Sequence, residues 1–413
     1  MNNVVVCMSG GGTAVINASC AGVIHAAQQD VTIDQVYVGI NGILGLINNQ
    51  LYRATELSKP DIRALKQTPS CAFGTCRYKL KPYDEDPSDY QRIAETFTQY
   101  GIACFIYIGG NDSQDTAYKV QQACATMNLN IQCIGVPKTI DNDLVGTHVC
   151  PGYGSAAKYI AISTLEASID VKSMYRSSTK VFILEVMGRH AGWLAVASAL
   201  ARQPNQPAPH IILVPEKTVD TQRLLNQVQQ CVNTDGYCVI VASEGIKNPD
   251  GTFWSSTKET DAFGHKQLGG VAPKLAKLVS QELQLKCHWA VSDYLQRSAR
   301  HIASAFDVEL AYRLGLEAVT AFLRGDNAVM LSVEPIQSNN GFNYRITTQS
   351  LATVANQEKI VPDAYLSSCG MDINPSLMDY LKPLIQGEAY PDYQNGLPNY
   401  FYYHETSYET ELS

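Results

Sequence analysis

Residues 131–143 read IQCIGVPKTIDND. The apolar run 131–136 has the length and composition of a buried strand, and Pro137 ends it. Directly behind it, one short loop carries a cation (Lys138), a hydroxyl (Thr139) and two carboxylates (Asp141, Asp143). The same order recurs along the chain: apolar strand, polar or glycine-rich turn, amphipathic stretch. Residues 4–8 lead into SGGGT at 9–13 and a helical stretch to about Ala27. Residues 36–40 read as another strand. A helix over 93–100 precedes the strand 103–108, which runs into GGNDS at 109–113 and a helix over 115–127. Further on, strands are predicted at 180–186, 210–214 and 237–242. Helices are predicted at 155–171, 190–200, 222–233, 268–284 and 300–323.

Short strands alternating with helices indicate βαβ units and parallel sheets. One sheet would be unusually long for this chain. The expected fold class is therefore α/β, with two Rossmann-like three-layer domains of mainly parallel sheet and a cleft between them. The least periodic segment near mid-chain, 143–151, is the expected crossing. The expected domains are 1–145, joined by part of 298–345, then 146–297, with a C-terminal extension over 346–413. Residues 202–209, with Pro204, Pro207 and Pro209, read as a loop inside the second domain. From about Tyr380 the tail is rich in Tyr, Pro and Asn and reads as irregular structure. No internal repeat or low-complexity tract interrupts the pattern.

Composition narrows the function. The 413 residues carry 31 Lys plus Arg against 39 Asp plus Glu, a net charge of -8. That excludes a broad surface for nucleic acid or anionic membrane but leaves room for a local basic pocket. The start of the chain has no basic segment of the signal-peptide kind, and no stretch approaches a membrane span. The 12 cysteines are scattered, with no C-x-x-C, so free thiols in a reducing cytoplasm are expected.

Ligands of parallel sheets sit beyond the carboxyl ends of the strands. The turns there are SGGGT at 9–13, GGNDS at 109–113, PKTIDND at 137–143, MGRHAGW at 187–193 and SEG at 243–245; YLQR at 294–297 opens a helix. Glycines let backbone N–H groups approach a phosphate at a helix start. A carboxylate can take a proton from an attacking hydroxyl, and an ammonium can neutralise a transferring phosphoryl group. Taken singly, each turn also fits a capped helix or a solvated loop. Together they fit one convergent site for phosphate and sugar. A P-loop motif is absent. Gly152-x-Gly154-x-x-Ala157 matches the loose dinucleotide fingerprint but follows a poor strand, so nicotinamide binding is disfavoured. His301, inside a predicted helix, is not read as a ligand.

These blocks, in this order, resemble the phosphofructokinase family over roughly residues 4–323, and in detail its pyrophosphate-dependent branch. ATP-dependent relatives usually carry glycine where this chain has Asp112 and Lys138. The resemblance implies a phosphotransferase in which 1–145 binds the phosphoryl donor and 146–297 the sugar phosphate. It implies pyrophosphate and fructose 6-phosphate as substrates, Mg2+ as cofactor and a cytoplasmic setting. It also implies a homodimer or homotetramer with shared active sites. Asp141 would be the base, Lys138 the transition-state cation and Asp112 the donor-selecting acid. Gly11 and Arg77 would meet the donor. Thr139, Met187, Gly188, Arg189 and Glu244 would meet the sugar, and Tyr294 and Arg297 its 6-phosphate. Arg176 would come from a neighbouring subunit. The family's metal position often holds Asp, whereas here it is Asn111, which shifts Mg2+ toward phosphates, waters and Asp112. His288 falls near a second phosphate-binding arginine of ATP-dependent relatives. An ATP-dependent 6-phosphofructokinase is one alternative, which a donor assay separates; a non-catalytic regulatory partner is the other, and intact Asp141, Lys138 and Arg189 argue against it.

Overall fold

The computed structural model describes residues 2–260, 266–336, 343–355 and 357–403. Its strands begin with β1 (Asn3–Met8), β2 (Val36–Gly39), β3 (Leu51–Arg53), β4 (Ile102–Gly109) and β5 (Gln132–Pro137). They continue with β6 (Val181–Val186), β7 (Ile211–Leu213), β8 (Cys238–Ser243), β9 (Ser256–Thr260), β10 (Lys266–Leu268) and β11 (Cys287–Val291). β12 (Val329–Ile336) and β13 (Asn343–Ser350) follow. The larger sheet runs β13-β12-β5-β4-β1-β2-β3. Its inner strands are parallel, and β3 and β13 close the two edges antiparallel. The second sheet runs β11-β6-β8-β7 and is wholly parallel. β9 and β10 form a separate antiparallel pair.

Both faces of β1 are buried, which is why it reads as an unbroken apolar run rather than an alternating one. Val4, Val6 and Met8 join one core, with the helices Ile16–Gln29 and Ala305–Arg324. Val5 and Cys7 join another, with the helices Ser88–Gln99 and Asn111–Thr126. The first core continues into the second sheet through Leu184, Val186 and Val241. The two sheets therefore share packed side chains through the helix Tyr153–Met174 and its neighbours.

Several sequence expectations move. The helix expected at 268–284 starts at Val271, because Gly269 (φ 132°) and Gly270 (φ 80°) hold backbone that a helix does not use. The helix expected at 300–323 is broken. A 3₁₀ turn covers Arg300–Ile302, and a fresh helix Ala305–Arg324 is capped by the Ser304 hydroxyl, which accepts from Asp307 N at 3.4 Å. The helix expected at 190–200 begins only at Trp193 and passes into a 3₁₀ turn at Ser198. Strands β3 and β9 to β13 fall where the sequence predicts none. β11 is a half-exposed edge strand, and the β12–β13 pair extends the larger sheet well past the last expected helix. Residues 346–350, expected in the extension, thus pair inside that sheet.

Candidate active site

β1 and β4 are neighbours, but the chain leaves them toward opposite edges of the sheet, to β2 and to β5. A crevice opens where the order reverses, beyond the carboxyl ends. Gly10 turns the chain there in a left-handed conformation (φ 77°), its N–H donating to Cys76 O at 3.2 Å. At Gly11 the Arg297 guanidinium approaches the backbone closely: a Cβ would lie 2.6 Å from Arg297 Nη1, and the arginine would have to swing aside. The resulting cleft, of about 660 Å3, is lined by Gly11, Arg77, Asn111, Asp112, Lys138, Thr139 and Asp141. All of these were singled out from the sequence.

Lys138 is buried, and its ammonium donates to Gly11 O at 2.7 Å, tying the loop after β5 to the loop after β1. Burial pulls its pKa below the ordinary lysine value. Arg297 adds to the drop, while Cys71 and Asp141 oppose it. Asp141 N donates to Thr139 Oγ1 at 3.0 Å, which sets the turn that presents the carboxylate. Burial, then the like charges of Asp143 and Glu244, push Asp141 up to about 7, with Lys138 pulling the other way. Burial raises Asp143 as well. Asp112 stands exposed in the first helical turn after β4, at the cleft wall.

Asn111 Nδ2 donates to Asp143 Oδ2 at 3.5 Å. This leaves Asn111 Oδ1 and Asp143 Oδ1 buried with no hydrogen-bond partner. Two unpartnered buried oxygens beside a phosphate-sized cleft suit a hard divalent cation that takes its other ligands from phosphates and water. No group of three or more His, Cys, Asp or Glu suited to a metal ion occurs among the described residues.

The second sheet presents its own set. Gly188 N donates to Glu244 Oε1 at 3.3 Å, and Met187 N donates to Gln296 Oε1 at 3.3 Å. Burial raises Glu244, while Arg189 lowers it. Glu244 lies close enough for Asp141 to feel its charge, so the two sets face one another. Arg297 bridges them: its guanidinium lies 3.8 Å from the Tyr294 ring centroid and reaches Gly11. His288 is exposed on β11, paired with Phe182. Arg176 is not brought in. It sits exposed beyond the far end of Tyr153–Met174, a helix whose length of about 33 Å separates it from the Thr139–Gly152 bridge.

Sequence reasoning missed Lys79, two residues past Arg77, and Glu358, both of which line the cleft. Glu358 comes from the C-terminal segment, pairs with Leu144 and meets His190 Nδ1 at 3.0 Å. Nothing in its local sequence marks it. The loose dinucleotide fingerprint is also explained. The helix start at Gly152 is filled by the Asp307 carboxylate, which accepts from Gly152 N at 3.0 Å and Ser155 N at 2.9 Å. Gly154 is needed for packing, since a Cβ would meet Leu384 O at 2.6 Å. No anion has room there.

The phosphofructokinase family model matches residues 3–322. A pyrophosphate–fructose 6-phosphate 1-phosphotransferase of Halomonas elongata is 49% identical over 398 residues, covering 96% of this chain and 95% of the relative. One of the same name from Methylococcus capsulatus is 48% identical, covering 95% and 93%. A crystal structure of pyrophosphate-dependent phosphofructokinase from Marinobacter aquaeolei superposes with a TM-score of 0.88 at 48% identity, covering 97% of this chain and 96% of that one. The chain belongs to the phosphofructokinase family.

Proposed function

We propose that the protein transfers a phosphoryl group from pyrophosphate to the C1 hydroxyl of D-fructose 6-phosphate. The products are fructose 1,6-bisphosphate and phosphate, and the reaction runs in both directions. The observation that carries this reading is the cleft in which the glycine turn after β1, Lys138 and Asp141 meet, with Asp112 on its wall. The near-half identity to pyrophosphate-named relatives supports the choice of donor.

In this reading Asp141 takes the proton of the C1 hydroxyl as its oxygen attacks phosphorus. The bond to the departing phosphate breaks, and Lys138 offsets the charge spread over the transferring group. Gly11 gives backbone access to pyrophosphate, and Arg77 and Lys79 add cations at the outer wall. Asp112 repels the α-phosphate that ATP would carry and pyrophosphate lacks. Thr139, Met187, Gly188, Arg189 and Glu244 hold the sugar, and Tyr294 and Arg297 its 6-phosphate. Asn111 Oδ1 and Asp143 Oδ1 would hold Mg2+, which when bound neutralises phosphate charge.

Residues 1–145 with β12 serve the donor, and 146–297 the sugar phosphate. Arg176 reaches a cleft only if a second copy supplies it, so the working unit is a homodimer or homotetramer. The setting is cytoplasmic and glycolytic. Free cysteines are consistent with it, and no helix among the described residues is long and apolar enough to cross a membrane.

The test is a donor assay. Purified protein with fructose 6-phosphate should consume pyrophosphate and not ATP. In reverse it should consume fructose 1,6-bisphosphate only when phosphate is present. Turnover with ATP alone would reverse the account of Asp112.

A further inference from the structure

Asn142 lies between the two cleft carboxylates, is fully buried, and holds a left-handed backbone (φ 54°). Asn takes this conformation more readily than other non-glycine residues, and here its side-chain amide is held at both ends. That hold comes largely from the C-terminal segment, beyond the residues that the family model matches.

The half-buried Lys359 ammonium donates to Thr147 O at 2.9 Å, His148 O at 3.0 Å and Asn142 Oδ1 at 3.4 Å. These acceptors match its N–H groups in number. Its backbone N–H donates to Asp143 O at 2.6 Å, and its carbonyl accepts from Trp193 Nε1 at 2.9 Å. Tyr380, on the helix Leu377–Leu384, completes the clamp. Its hydroxyl accepts from Asn142 Nδ2 at 2.7 Å and donates to His148 O at 2.8 Å. The remaining support of Asn142 Oδ1 is local, from Cys150 N at 3.0 Å. A buried ammonium is costly to place. This one meets backbone carbonyls and an amide oxygen, and its charge also reaches the Asp143 carboxylate.

We propose that Lys359 and Tyr380 are positioning residues for Asp141: the C-terminal segment clamps the Asn142 turn and thereby aims the Asp141 carboxylate into the cleft. The catalytic part of this rests on the reading of Asp141 as the base. The clamp itself does not.

Two variants test it, Lys359→Met and Tyr380→Phe, each close in shape to the parent. With pyrophosphate and fructose 6-phosphate, Lys359→Met should lower kcat about 10- to 100-fold, with both KM values within about twofold of the parent. Tyr380→Phe should lower kcat several-fold. The double variant should lose less than the product of the two, because both act on one turn. Amide exchange is read in parallel. Residues 139–150 should exchange faster in both variants, while β1 and β4 keep their protection.

A folded Lys359→Met protein with parental kcat, or with parental exchange over 139–150, overturns the proposal. So does a kcat loss that only follows the folded fraction. An Asp141→Asn control separates the two failures. If that variant keeps parental activity, the base reading falls, and exchange still decides the clamp. If it is inactive while Lys359→Met is normal, only the clamp falls.

Discussion

Asp141 is where local chemistry and burial meet. Its loop could be picked out from the sequence because a lysine, a threonine and two aspartates crowd behind one strand. What could not be read there is the company they keep. Glu244 and Glu358 raise Asp141 from positions more than a hundred residues away, after burial and Asp143 have done most of the work. The sign follows directly. The base form is the carboxylate, and its folded pKa is raised toward about 7. For transfer onto fructose 6-phosphate, kcat/KM should therefore fall as pH drops through about 7 and level off above it. An ordinary aspartate would place that limb near pH 4. Asp141→Asn keeps the shape of the side chain and should bind fructose 6-phosphate within about threefold of the parent. Its kcat should fall roughly 10²–10⁴-fold. Isothermal titration and initial rates check the two halves, and retained turnover would remove Asp141 from the chemistry.

At the scale of elements, the glycine turn after β1 rests on two helices that cross unusually closely. A Cβ at Gly22 would lie 2.3 Å from Tyr312 O, and one at Gly315 would lie 2.1 Å from Ser19 O. Backbone meets backbone at that crossing of Ile16–Gln29 and Ala305–Arg324, so there is no flexible side chain to yield. Gly315→Ala should destabilise the protein by about 1–3 kcal/mol, read as a lowered denaturation midpoint. An unchanged midpoint would mean that the helices separate at little cost. The alternation of strands and helices was legible because doubly buried strands are continuous apolar runs. β11 escaped notice because an edge strand with exposed His288 and Trp289 lacks that signature. The broken helix at 300–304 escaped because the residues around Ser304 keep an apolar pattern while its hydroxyl starts a new helix.

For the whole molecule, the position of Arg176 makes the prediction. It lies a helix length from its own chain's cleft, so any role at a site must be played in a second copy. Arg176→Ala should raise KM for fructose 6-phosphate by about tenfold or more, with oligomer size on gel filtration unchanged. At low fructose 6-phosphate, mixed oligomers of Arg176→Ala and Asp141→Asn subunits should turn over faster than either variant alone. No gain on mixing would confine Arg176 to its own surface. The net charge of -8 fits this arrangement, since the cations that matter are gathered at one cleft and one helix end.

The sequence by itself determined the α/β class, the strand-end turns and most of the cleft residues. Each of these is written in contiguous residues: a strand's apolar run, a glycine turn, a dense polar loop. Tertiary structure alone decided how the turn at Asn142 is held. Lys359 and Tyr380 stand more than two hundred residues from Asn142 and carry no motif. Their meeting depends on where the C-terminal segment packs, and a hydrogen bond across that separation leaves no periodic trace in the chain.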